Sequence, residues 1–142
     1  MTELDNIYCT RALRLLAEDA RMTVRTRHLL AVLVRATPVA LRGYATMVPM
    51  AELVALLNTA PADDAWYGGT EQDVLATLED IEAAHWSMPD PQIEIGSFLN
   101  GHALSEDSGL LHFQIDLDFI AAIERISRQL RANSNRPPGM KH

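Results

Sequence analysis

Few side chains in this sequence are placed to do covalent chemistry. A nucleophilic site needs a nucleophile, a base and an orienting group in one pocket. The single cysteine, Cys9, lies between Tyr8 and Thr10 in a stretch of helical pattern, where a thiol behaves as a small buried hydrophobe. The histidines are His28, His85, His102, His112 and His142, and none makes an HExxH or Cys–His spacing of the kind that holds a metal. His102 and His112 fall on the two sides of an expected hairpin. Two ring nitrogens facing each other there could share a metal, but a solvated cross-strand pair is the simpler reading. Asp116 and Asp118 share one end of that hairpin; capping of the next helix accounts for Asp116, and no acid–base partner is evident. Gly68-Gly69-Thr70 opens a helix whose free N–H groups could hold an anion. The P-loop lysine is missing, however, and Glu71 and Asp73 would repel phosphate, so helix capping is the better account. No catalytic residue, metal ligand or cofactor is expected, and the chain is read as non-enzymatic.

The charged residues carry more information. The chain has 142 residues and a formal net charge of -7. Residues 1–43 hold seven arginines against four acids, residues 44–124 hold fifteen acids and no Lys or Arg, and residues 125–142 hold five basic residues and no acid. Ordinary solvated surfaces mix both signs. Either the basic ends neutralise the acidic middle within one fold, or the middle forms an acidic face that repels phosphate and attracts a basic partner. Arg11, Arg14 and Arg21 share one helix face, and Arg125, Arg128 and Arg131 recur at three-residue spacing on another. With Arg25 and Arg27 they are the candidates for holding a DNA backbone, a contact that is salt-sensitive and blind to sequence. The candidates for a protein interface are Glu71, Asp73, Glu79, Asp80 and Glu82, flanked by Trp66 and Trp86. If exposed, such aromatics would act as anchors.

These side chains must be positioned by an α+β, mostly helical fold. Residues 5–20 have a helical pattern, with Arg11, Arg14, Glu18 and Arg21 on the wet face and Ile7, Tyr8, Ala12, Leu15 and Leu16 as the buried stripe. Thr23 can cap a second helix through His28–Val34, apolar nearly all round and therefore central. Thr37-Pro38 ends it, since the residue before proline leaves the α region. Residues 44–47 suit a short strand. Pro49 starts a third helix, with Met50, Leu53, Val54 and Leu57 inward and Asn58 as its stop. Residues 59–69 form a loop. Thr70-Glu71-Gln72-Asp73 resembles a capping box, opening a helix to about His85 with Val74, Leu78, Ile81 and His85 as its core seam. Residues 92–99 and 110–115 are expected strands, joined through the turn residues Ser105–Gly109. Asp116 can cap a closing helix carrying Phe119, Ile120, Ile123, Ile126 and Leu130. Residues 1–132 form one domain, and 133–142 read as a disordered tail. One cysteine excludes a disulfide framework. The N-terminus lacks the layout of a signal peptide, and no stretch approaches the length of a membrane helix; a cytoplasmic protein with no membrane partner is expected.

Two short helices followed by a β-hairpin is the layout of a winged helix-turn-helix, with the hairpin as wing. The run from Leu13 to Val34, Trp66-Tyr67 leading into Leu75-Ala76-Thr77-Leu78, and the segments Ile93–Ser97 and Ser108–Asp116 resemble plasmid replication initiators of the RepA/RepE type. The resemblance covers residues 5–125 and is one of pattern. It implies a winged-helix protein of a plasmid or phage-like element that acts in DNA replication or its regulation, and a homodimer. That family has tandem winged-helix domains and binds repeated origin sites, whereas this chain has length for one. It departs further at the expected recognition helix, residues 70–85, which has five carboxylates and no basic residue. A helix between phosphate strands normally brings Arg or Lys. Any DNA contact is therefore expected on the Arg-bearing terminal helices. The alternative is an acidic, DNA-mimic-like module or inhibitor that binds a basic nucleic-acid-binding protein.

Overall fold

A computed structural model describes residues 7–37, 45–58, 69–88 and 94–134. Its elements are α1 (Ile7–Asp19), α2 (Val24–Ala36), β1 (Thr46–Pro49), α3 (Met50–Asn58), α4 (Glu71–Ala83), β2 (His85–Met88), β3 (Glu94–Ser97), β4 (Leu99–Ser105), β5 (Leu110–Ile115) and α5 (Leu117–Ser134).

Local signals set most of the boundaries. The Thr23 hydroxyl accepts from the Thr26 N–H at 3.2 Å and caps α2. Thr37 closes that helix through its N–H to the Val34 carbonyl, in extended conformation. The capping box of α4 is complete: Thr70 Oγ1 accepts from the Asp73 N–H, and Asp73 Oδ2 accepts from the Thr70 N–H at 2.8 Å. Asp116 caps α5, its Oδ1 accepting from the Asp118 and Phe119 N–H groups. Between α1 and α2 the chain turns through a Schellman arrangement. Met22 N–H donates to the Ala17 carbonyl and Arg21 N–H to that of Glu18. Arg21 takes the left-handed conformation, φ 61°, usually given to glycine.

The sheet order is β1-β5-β4, all antiparallel, with Thr46 opposite Phe113 and Leu104 opposite Leu111. Helix α2, strand β1, helices α3 and α4, then a hairpin whose second strand pairs with β1 is the winged-helix core. Here α1 precedes it, α5 closes it, and the ribbon β2–β3 is inserted between α4 and the wing. The α3–α4 connection is clamped at its ends, since the Asn58 side chain donates to the Gly69 carbonyl and accepts from the Gly69 N–H. At the wing tip Gly109, φ 70°, returns its N–H to the Ser105 carbonyl, while its own carbonyl accepts from the Met50 N–H at the start of α3. The core gathers Leu29, Leu30 and Leu33 of α2, Leu53 and Leu57 of α3, Val74, Leu78 and Ile81 of α4, and Phe119 and Ile123 of α5, all buried. Phe98 and Phe119 meet edge to face with centroids 4.8 Å apart, a favoured aromatic geometry.

Several expectations need correction. Helix α4 stops at Ala83, so His85 is not part of its core seam but an exposed residue opening β2. The first wing strand is residues 99–105 rather than 92–99; Glu94–Ser97 pairs with β2 instead. Both segments are too short for periodicity to reveal their partners. Leu15, expected inward, is 50% exposed, and Leu13 takes its place in the core, because α1 is covered by α2 on one flank and α5 on the other. Helix α5 runs through Asn133 to Ser134, into the expected tail; residues 135–142 lie outside the described residues. Among the described residues no helix is long and apolar enough to cross a membrane.

Candidate nucleic-acid interface

The arginines divide by what they touch. On α1, Arg14 Nε donates to Glu18 Oε1 at 3.0 Å, one helical turn away. Arg27 of α2 reaches the same oxygen at 2.7 Å. One carboxylate thus draws two guanidiniums together, and the Arg14 hydrogen bond, followed by that of Arg27, holds the Glu18 carboxyl below the usual carboxylate range. Arg25 lies 3.6 Å from Asp73 at the start of α4. Asp73 is also held low, first by the Thr70 N–H and hydroxyl and then by Arg25. Arg125 of α5 pairs with Glu94 of β3 at 3.0 Å; this hydrogen bond lowers the carboxyl and raises the guanidinium. Arg131 lies over the Tyr8 ring, 5.3 Å from its centroid, a cation–π contact. Arg11, Arg21 and Arg128 are exposed and have no acid within ion-pair distance among the described residues. Two of the pairs, Arg25–Asp73 and Arg125–Glu94, join a basic end of the chain to its acidic middle. The ends therefore neutralise part of the middle, though not all of it.

Between α1 and α2 lies an open groove of about 80 Å³. It is lined by the apolar Leu13 and Ala31 and by Arg14, Arg27, Arg35, His28 and Thr10. Arg35 and His28 were not among the residues singled out from sequence. The signal is present: positions 27, 28, 31 and 35 recur at helical spacing on one face of α2, but they are interleaved with the apolar run Leu29–Val34.

The acidic helix is laid out as its sequence suggests only in part. Glu71, Glu79 and Asp80 are exposed. Asp73 is used by the capping box and Arg25. Glu82 is not a free interface acid, because its Oε1 lies 2.6 Å from His102 Nδ1 and ties α4 to the wing strand β4. Trp86 is not an interface anchor either. It is 2% exposed, and its Nε1–H donates to the Ser97 carbonyl at 2.9 Å. Trp66 lies outside the described residues. The two hairpin histidines do not face each other: His102 stands opposite Phe113, and His112 opposite Ala103. Alternation along the strands puts the two rings on opposite faces of the sheet. Cys9 is buried between α1 and α5, its Sγ donating to Ser127 Oγ at 3.5 Å. Among the described residues no group of three potential metal ligands assembles.

No protein-family model matches the chain, and no curated protein is a recognisable relative. Among solved structures it is similar to the WH1 domain of MSBI1.176, a replication protein isolated from a multiple sclerosis patient. The TM-score is 0.48 at 11% identity, over 84% of this chain and 92% of that one. The likeness assigns no function to this chain.

Proposed function

We propose that this is a non-enzymatic winged-helix protein that holds the DNA backbone through α1, α2 and α5, acting in the replication of a plasmid or phage-like element, or in its control, as a homodimer. The observation that carries the reading is the division of the surface. Arg11, Arg35 and Arg128 are exposed on α1, α2 and α5 and Arg21 in the turn between α1 and α2, while the outward side of α4 offers Glu71, Glu79 and Asp80. Phosphates are drawn to the first and repelled by the second. The pattern resemblance to plasmid initiators supports the replication role. In a mobility-shift assay at low salt the protein should bind duplexes regardless of sequence. The log–log salt slope should be about -0.9 per neutralised phosphate, and Arg11→Ala or Arg128→Ala should each reduce it by roughly one unit. Failure to shift any duplex at low salt removes the reading.

A second reading is favoured by the same exposed carboxylates of α4. In it the helix serves as a docking face for a basic, nucleic-acid-binding protein. Reversing Glu79 and Asp80 to Lys would then abolish the complex and leave duplex binding no weaker. A complex that survives the double reversal excludes it.

A further inference from the structure

We propose that the groove between α1 and α2 is a seat for a single phosphate oxyanion, and that Glu18 is its built-in competitor. The seat deepens the backbone reading above, yet its chemistry needs only an oxyanion.

Three arginines, Arg14, Arg27 and Arg35, line one cavity together with Thr10 and His28. Arginine forks match the spacing of phosphate oxygens and bind them in pairs. At about 80 Å³ the cavity is well below the ~300–1,000 Å³ of clefts that hold whole organic ligands. It suits one tetrahedral group whose remainder stays in solvent. The Arg27 side chain is only 17% exposed and is already held by Glu18, so little freedom is lost on binding.

Glu18 shows that the geometry accepts an oxyanion. A single carboxylate oxygen receives hydrogen bonds from Arg14 at 3.0 Å and Arg27 at 2.7 Å; Glu18 itself is not part of the groove lining, so a phosphate in the groove would draw these two arginines away from it. The Glu18 side chain is 49% exposed, and surface pairs of this kind are weakly held. It can swing into water when a more highly charged group arrives. Arg35 has no acid within ion-pair distance among the described residues, so its charge is available to the newcomer. Phosphate entry therefore exchanges one internal counterion for an external one and adds a third guanidinium.

The shared ligand chemistry is a phosphate oxygen, whether of a nucleic-acid backbone or of free phosphate. Two titrations of the full chain at fixed ionic strength separate them, one with inorganic phosphate and one with a short duplex. Binding is read by heat and by the arginine Nε–H resonances. Inorganic phosphate should move the resonances of Arg14, Arg27 and Arg35. Arg35→Ala should weaken phosphate about tenfold, the usual loss of one hydrogen bond to a charged group. Glu18→Gln should strengthen it several-fold, and both changed side chains are exposed, so the fold should survive. The seat is overturned if phosphate does not bind, or binds with unchanged affinity to both variants, even where duplex binding persists through Arg11 and Arg128. Phosphate binding in the groove without any duplex binding upholds the seat and removes the DNA reading. Binding of both, each weakened by Arg35→Ala, identifies the backbone phosphate as the natural occupant.

Discussion

At Gly96 the lack of a side chain is what admits the Trp86 indole. A Cβ there would stand 2.5 Å from Trp86 Cζ2 and 2.6 Å from Cε2, closer than carbon atoms can approach. The indole is wedged into the core, so the ring cannot give way. Gly96→Ala should cost about 1–3 kcal/mol, the usual range for overpacking, seen as a lower urea midpoint followed by tryptophan fluorescence. An unchanged midpoint would show that the ribbon shifts freely. This pairing was not legible in the sequence. Trp86 beside an acidic helix suits an interface or a core equally well, and its neighbour Gly96 lies ten positions away with no periodic link. The same holds for Glu82 and His102, twenty positions apart and brought together only because β4 runs beside α4. Asp116, whose capping role depends on immediate chain neighbours, is legible in the sequence.

Elements follow the same rule. Helix starts are short-range, set by one side chain and the N–H groups two or three residues on. Thr23, Thr70 and Asp116 cap α2, α4 and α5 as their residue types suggest. The wing strand β5 is also plain, since Leu111, Phe113 and Ile115 are buried in alternation with half-buried neighbours. The four-residue strands β2 and β3 were not. Each is stabilised by what it meets: β2 by α1, where Ser87 donates to Asp19 Oδ2 at 3.1 Å, and β3 by α5 through Glu94 and Arg125. Removing the α4 cap tests how much the acidic helix depends on its own end. Thr70→Ala should destabilise the protein by about 1 kcal/mol, measured by denaturant melts. A null effect would mean that packing of Val74, Leu78 and Ile81 alone fixes the helix start.

Across the whole molecule, the charge division is partly stitched shut by ion pairs. Glu18, Asp73 and Glu94 all have carboxyls held below their usual range in the folded state. A depressed folded pKa adds stability above the unfolded carboxyl range, near pH 4, and that contribution is lost as pH falls through the lower folded values. Thermal melts should therefore be flat from about pH 7 to 5 and fall below about pH 4. Arg125→Ala should remove the Glu94 share and flatten that fall. If the variant and the parent decline in parallel, the Glu94 pair is not part of the effect. The candidate groove was the least legible feature at this scale. Arg27 and Arg35 share one face of α2 by helical spacing, but Arg14 joins them only because α1 and α2 lie side by side.

The buried Cys9 thiol also makes the α1–α5 seam observable. As the chain's one cysteine, at 3% exposure, it reacts with a water-soluble disulfide reagent only when the two helices part. The labelling rate in native buffer then measures how often that seam opens, in the manner of amide exchange, with a single chemical signal and no engineered probe. Comparing that rate with and without bound anion or duplex would show whether ligand at the α1–α2 groove steadies the neighbouring α1–α5 seam.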